Sequence, residues 1–488
     1  MPRVVNTTIS FTSAVSVAFC AVALIGETPN QSSTSMTFKP LSIATKLFII
    51  GWMCTAHSVF AQKTAINFDY LTVDEAPLGP IGFLGTGVSL YHPSLPIYAG
   101  IRLNNALVGT RAGYYTFGYQ AGAHLALGQH LELHPKLMFT AGGGAESNDG
   151  SGGFGTAALS VDYTQGNWTL GAGAQYSYVS TGVIQGASPY FSLHRTLDFS
   201  SPQAKPMKTQ LFTNAMWSSW NEHQRPTGFI GVGGRIFDKH TFKSVYLTAA
   251  VTDLGGYMDV FGGYGVYRDL KNFRVIGELN AGTGGGGRAP AGGGAIYGAQ
   301  AEVQYHFSDV FLGLSSGLVS SVNEPFFFQY TALRLGTEFS FNDKSYAQDG
   351  FALAHLQAES SIRTYLGGQG FSNLGIAFQL YKKSNFSLRG ESYWAFTDMR
   401  GAYAEGLFGI RYQPGYFYIE TQVGAGAGGG INLWNGAGLA FMNAGVDLPL
   451  TPLISANVKY IYNLYSTTPF PRHGIQYGIG FKIPFTKE

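Results

Sequence analysis

One structural unit is written three times along this chain, at a spacing of about 143 residues. A fixed period that long means three copies of one folded unit, so any fold must divide by three. Each copy has a Gly-rich stretch, then an alternating strand with Val near its end, then a short turn and a further strand. The stretches are Gly142-Gly143-Gly144, Gly284-Gly285-Gly286 and Gly428-Gly429-Gly430. Val161, Val303 and Val446 follow at offsets of 142 and 143 residues. Gly85, Gly231 and Gly375 keep offsets of 146 and 144, and Phe199, Phe341 and Phe485 close the copies at 142 and 144. Thr110, Thr252 and Thr397 open similar turns.

The composition poses a contradiction that narrows the class. Only 12% of residues are charged and 15% are aromatic, with 67 glycines, whereas soluble domains average about 25% charged residues. Beyond residue 61 no apolar run is long enough for a membrane helix. A membrane β-barrel resolves this, because half of every strand can face lipid. The alternation agrees. Ile475, Tyr477, Ile479, Phe481 and Ile483 share one face, and Gln476, Gly478, Gly480 and Lys482 share the other. Leu333, Leu335, Phe339 and Phe341 alternate with Arg334, Gly336, Glu338 and Ser340, and Val458, Tyr460, Tyr462 and Leu464 with Asn457, Lys459 and Asn463. On this reading Arg at the lipid-facing Ile479 harms insertion far more than Arg at the polar-face Gln476, which tolerates charge better.

Counting strands gives about eight per copy. In the first they fall near 64–71, 80–91, 96–107, 112–127, 130–142, 153–164, 167–179 and 188–199. Turns after even strands are short, and loops after odd strands are longer and Gly/Ser/Asn-rich. The polar joints Ser200–Pro206 and Asn342–Ala347 read as linkers between closed units. The expected fold is therefore all-β: three antiparallel barrels of eight strands. The alternative is one 24-stranded barrel. The divisions are 62–200, 201–345 and 346–488.

The N-terminus reads as an export signal. Lys39 and Lys46 precede the apolar run Leu47–Met53, and Ser58-Val59-Phe60-Ala61 offers a small-residue cleavage site. Cleavage after Ala61 makes Gln62 the first mature residue. Residues 36–61 are then the signal, Met36 is the expected start, and 1–35 are an upstream extension. Both cysteines, Cys20 and Cys54, lie before the cleavage site, which leaves no disulfide framework and no thiol metal site. A net charge of +2 gives no electrostatic case for nucleic acid.

Together the signal, the two-faced strands and the terminal aromatic Phe485 resemble a bacterial outer-membrane β-barrel protein. Each copy is similar in size and strand count to the small OmpA/OmpX-type barrels. Phe485 is followed by Thr486-Lys487-Glu488, a departure from a strictly C-terminal aromatic. The resemblance implies an outer-membrane location, contact with membrane lipid and lipopolysaccharide, and insertion by the barrel assembly machinery. It names no specific protein partner.

Enzyme and cofactor signals are weak. Gly313-Leu314-Ser315-Ser316-Gly317 fits a nucleophile-elbow pattern but sits in an alternating strand, where that motif needs a strand-to-helix turn. The Gly282–Gly287 and Gly424–Gly430 runs have no helix after them to cradle a phosphate. Some eight-stranded barrels modify lipid A, yet in His92-Pro93-Ser94 proline separates the pair at a turn. The 11 histidines are not expected to cluster, and His124, His130 and His194 read as interior or rim residues rather than metal ligands. No catalytic residue, cofactor or metal ligand is assigned, and a non-enzymatic structural or surface-interaction role, with narrow channels at most, is expected. A wide transport pore is the alternative, and a lipid-modifying enzyme a more remote one. The lumen-facing charges are Arg274, Glu278, Arg334, Glu338, Glu405, Arg411, Glu420, Lys459 and Lys482. In a narrow barrel these pair, Arg334 with Glu338, Arg274 with Glu278, and Arg411 with Glu405 and Glu420, because a lone buried charge is costly. In a wide pore they stay hydrated and set ion preference.

Overall fold

The computed structural model describes residues 64–484 except 76–78, 93–94, 146, 148–149, 198–206, 221–226, 253, 288, 325, 342–354, 368–369, 382–384, 429–437, 453 and 465–469. The export segment, both linkers, Phe199 and Phe485 lie outside the described residues, and the third Gly-rich stretch is described only at Gly428. Every described element is a strand.

The first barrel runs through β1 (Thr64–Glu75), β2 (Gly79–Tyr91), β3 (Ile97–Val108), β4 (Tyr115–Ala123) and the short β5 (Leu125–Ala126). It continues with β6 (Leu131–Gly143), β7 (Gly153–Gln165), β8 (Trp168–Val179) and β9 (Gln185–Leu197). β4 pairs with β6, and β5 prolongs β4 beyond a break at His124, so the ring has eight staves.

The second barrel comprises β10 (Met207–Trp220), β11 (Thr227–Phe237), β12 (Thr241–Ala250), β13 (Met258–Leu270), β14 (Phe273–Gly285), β15 (Ala295–Phe307), β16 (Val310–Ser321) and β17 (Phe327–Phe341). The third comprises β18 (His355–Leu366), β19 (Ser372–Tyr381), β20 (Phe386–Ala395), β21 (Ala404–Tyr412), β22 (Phe417–Ala427), β23 (Gly438–Pro449), β24 (Ile454–Asn463) and β25 (His473–Pro484).

Closure is decided at three seams. β1 pairs with β9 from Thr64↔Leu197, β10 with β17 from Met207↔Phe341, and β18 with β25 from His355↔Pro484. The last strand of each unit returns to its own first strand, so the chain makes three rings and not one of 24 strands. Closing each ring removes every unpaired edge, as a barrel in lipid requires.

The strands are two-faced as their alternation demands. In β22, Phe417, Ile419 and Val423 are exposed on the outside while Tyr418, Glu420 and Gln422 are buried inside. In β24, Val458, Tyr460 and Tyr462 point out and Asn457, Lys459 and Asn463 point in. The outward face is covered locally at Phe339 and Phe481. Exposed aromatics gather at the short-turn end of all three barrels: Tyr163 and Trp168, Phe273 and Phe307, Phe386 and Phe417. Turns on that side are as short as 271–272 and 308–309, whereas the other side carries loops such as 144–152 and 286–294.

The three rings pack against one another through the first. Tyr115, Phe117 and Tyr119 of β4 project outward into an apolar cluster with Leu374, Ile376 and Trp394 of the third barrel, and Met258 and Val260 of the second flank it. The Tyr115 hydroxyl donates to the Met258 carbonyl at 2.8 Å, and that of Tyr119 to the Gly375 carbonyl at 3.0 Å. The Phe117 and Trp394 rings stack with centroids 6.4 Å apart. Loops meet backbone to backbone here: a Cβ on Gly113 would stand 2.1 Å from the Gly286 nitrogen. No side chain fits there, which gives part of the Gly-rich spacing a packing cause.

Residues 62–200, produced alone, are expected to fold in detergent or lipid, because β9 already closes on β1. The separated seam face is mostly aromatic and lipid-compatible. Heat-modifiable gel mobility reads the outcome, and a fragment that only aggregates while the full chain folds would refute independent closure.

Candidate functional site

An eight-stranded ring leaves an interior just wide enough for side chains to fill. All three interiors are filled in two tiers. The loop-end tier is aromatic. Tyr114, Tyr257 and Tyr403 occupy matching positions between the third and fourth staves, and all are essentially inaccessible. The loop before each is held by the same backbone bonds: Tyr114 N to Arg111 O, Tyr257 N to Leu254 O and Tyr403 N to Arg400 O. In the later two barrels a threonine hydroxyl fixes this loop, Thr252 accepting from Gly228 N at 2.7 Å and Thr397 from Ser372 N at 2.8 Å.

The tyrosines pack inward on Phe83 and Phe154, on Phe229, Phe326 and Phe328, and on Phe371 and Phe470. Gly144, Gly286 and Gly428 all have positive φ, and a Cβ on them would lie 2.0–2.3 Å from the carbonyl just before the tyrosine. The repeated glycine thus lets one loop close over the next and seat an aromatic plug.

The short-turn tier is ionic. In the third barrel Arg363 meets Glu391 and Glu405 at 2.5 Å each, and Arg389 meets Glu359 at 2.8 Å and also Glu391. Arg411 bonds Glu420 at 2.9 Å, and Lys459 bridges Glu391 at 2.8 Å and Glu420 at 3.0 Å. These four cations and four carboxylates are all fully buried side chains. Glu405 also accepts from Tyr365 and Tyr403, which ties the ionic tier to the plug.

In the second barrel Arg235 meets Glu302 at 2.7 Å and Glu278 at 3.1 Å. Arg334 contacts Glu302 and lies over the Phe212 ring. Nearer the turns Arg274 joins Asp269 at 2.6 Å and Glu338 at 2.5 Å, and Lys208 reaches Glu338 at 2.6 Å. In the first barrel Asp69 is the hub, taking Arg102, Lys136 at 2.9 Å and the Tyr190 hydroxyl at 2.6 Å.

Eight of the nine charges selected from the sequence are therefore placed, but three partnerships differ. Arg334 pairs with Glu302 and not Glu338. Arg274 pairs with Asp269 and Glu338 and not Glu278. Arg411 reaches Glu420 alone, and Glu405 belongs to Arg363. The side chain of Lys482 lies outside those described. Glu302, Arg235, Arg363, Arg389, Glu391, Asp69 and Lys136 were missed. Most are buried-face residues of alternating strands, so the signal was there in their parity.

Gln476 also proves to be no free polar position. It accepts from Arg363 at 3.0 and 3.1 Å and donates to Glu359 at 3.0 Å.

The discounted motifs land in plain structural roles. Ser315 lies within β16, its hydroxyl 3.5 Å from the Ala332 carbonyl. His92 accepts from Leu95 N at 3.0 Å across a turn, while Pro93 and Ser94 lie outside the described residues. The histidines, scattered in sequence, do converge: His124, His134 and His194 share the short-turn end of the first barrel.

No family model and no curated protein matches the chain in sequence. Among solved structures it is similar to the siderophore receptor PirA from Pseudomonas aeruginosa, at 8% identity and a TM-score of 0.29, over 86% of this chain and 80% of that one. It is also similar to OccAB3 of Acinetobacter baumannii, at 10% identity and a TM-score of 0.22, over 87% and 98% of the two chains. The outer membrane protein opdK from Pseudomonas aeruginosa matches at 9% identity and a TM-score of 0.21, over 86% and 98%.

Proposed function

We propose that this is a non-enzymatic outer-membrane protein whose three packed barrels, each of the small OmpA/OmpX type, form a non-conducting membrane platform that displays its longer loops at the cell surface. The observation that carries this reading is the filling of each lumen, aromatic at one end and with buried, paired charges at the other. Water and solute have no wide path through such an interior. The apolar outer faces and the aromatics at the short-turn rim suit a bilayer, with the short turns toward the periplasm. Outer-membrane lipid and lipopolysaccharide would surround it, the barrel assembly machinery would insert it, and residues 36–61 would direct export.

The full chain reconstituted in a planar bilayer is expected to give no large, stable conductance step. Reproducible large steps, or uptake of small solutes by vesicles containing it, would replace the platform reading with transport. Fractionation of cells checks the location separately.

A further inference from the structure

We propose that His124, His134 and His194 form a binding site for one divalent transition-metal ion of the Zn²⁺ class at the short-turn mouth of the first barrel. This does not depend on the platform reading. The three residues come from distant stretches, and the ring brings them together. His124 sits at the break between β4 and β5, His134 is inward on β6, and His194 is inward on β9 and reaches across the lumen. One ring nitrogen from each lies within 4.8 Å of the others. Tetrahedral Zn²⁺ with nitrogen ligands at about 2.0–2.1 Å needs separations of about 3.3 Å, so movements on the order of 1 Å close the site.

Four observations point to a cation here. First, two imidazoles carry carboxylates on Nδ1, the arrangement that orients metal-bound histidine. His124 Nδ1 is 2.8 Å from Glu132, and His134 Nδ1 is 2.8 Å from Asp162 in an orientation poor for a hydrogen bond. Their Nε2 atoms face the hydroxyls of Tyr91 at 3.2 Å and Tyr98 at 2.8 Å.

Second, His194 is 2% exposed, yet neither ring nitrogen has a hydrogen-bond partner among the described residues. Its nearest charge, Asp69, is 3.7 Å from Nε2. A buried imidazole that makes no hydrogen bond is costly, and coordination would satisfy it. Third, charge is unbalanced: Asp69, Asp162 and Glu132 outnumber Arg102 and Lys136 around the trio, whereas the ion pairs of the third barrel match in number. Fourth, there is a way in, because the side chains of His124 and Glu132 are 12% and 31% exposed at the mouth.

Imidazole suits Zn²⁺, Cu²⁺ and Ni²⁺, and three histidines leave one position for water or the Tyr98 hydroxyl. The rings of His124 and His134 are stacked at 4.2 Å, so one must swing about χ2 to aim both lone pairs at one ion. His134 and His194 already stand edge to face at 5.3 Å.

The test uses the tag-free full chain folded in detergent, with Zn²⁺ titrated by calorimetry and Cu²⁺ followed by electron paramagnetic resonance. The expected result is one ion per chain. His124→Ala and His194→Ala should each weaken binding at least about 10–100-fold, as loss of groups supporting a metal does. His130→Ala, whose ring contacts the Thr164 carbonyl away from the trio, should change nothing. Gel mobility before and after heating establishes that each variant is folded. His124 lies at the mouth, so its variant disturbs packing least. Absence of saturable Zn²⁺ binding to the wild-type chain, or unchanged binding in a folded His124→Ala chain, overturns the site. So does a Cu²⁺ spectrum with fewer than two imidazole nitrogens, which needs no variant at all.

Discussion

Glu391→Gln is expected to destabilise the folded protein by about 3–5 kcal/mol, the cost of breaking a buried ion pair from one side. Glu391 touches Arg363, Arg389 and Lys459, and all four side chains are fully buried. The amide keeps the shape and deletes the charge, so four buried cations are left facing three carboxylates. Urea unfolding in detergent, followed by tryptophan fluorescence, measures the loss. Glu324→Gln, on an exposed loop, is the comparison and should stay within about 0.5 kcal/mol of wild type. Adding Lys459→Met to Glu391→Gln removes the surplus cation and should recover part of the loss, a coupling expected of residues in one network. Equal midpoints for Glu391→Gln and wild type would mean the network is hydrated and the lumen open.

Leu279→Arg is expected to cost roughly 2–4 kcal/mol in lipid, the penalty for a cation facing the bilayer midplane on a barrel. Leu279 is central in β14, lies beside Tyr264 on β13, and is 71% exposed on the outside, clear of the other barrels. Leu279→Phe keeps the face apolar and should fold as wild type. Folding yield into phospholipid vesicles reads both. Full yield of the Arg variant would place this face in water and end the membrane reading. The sequence alone suggested that Gln476→Arg would be the tolerated counterpart. The structure reverses that, because the new guanidinium would lie against Arg363, which already uses Gln476 as an acceptor. It too should reduce folding, through like charges in a filled lumen.

Much of this protein is determined by its residues locally. Successive side chains on a strand point to opposite faces, so Val458, Tyr460 and Tyr462 had to part from Asn457, Lys459 and Asn463 wherever the strand lay. The same parity marks Glu302 and Arg363 as lumen residues. The 143-residue period likewise requires three equivalent units. Closure was legible only in part: the polar joints pointed to three closed units, as found, but the free edge of β9 offers the same donors and acceptors to β1 as to β10. Only the observed β1–β9 register settles it.

Ion partners were misread for a related reason. The stagger of a barrel brings together residues of non-adjacent strands. Arg334 on β17 therefore meets Glu302 on β15, and not Glu338 four positions along its own strand. The histidine trio follows the same rule. His124, His134 and His194 share nothing in sequence except inward parity, and a narrow ring carries His194 across the lumen to the other two. Sequence thus determined which side of the wall each residue occupies. Tertiary structure decided whom it meets there, because that depends on ring size and stagger, which strand pairing sets and no single segment encodes.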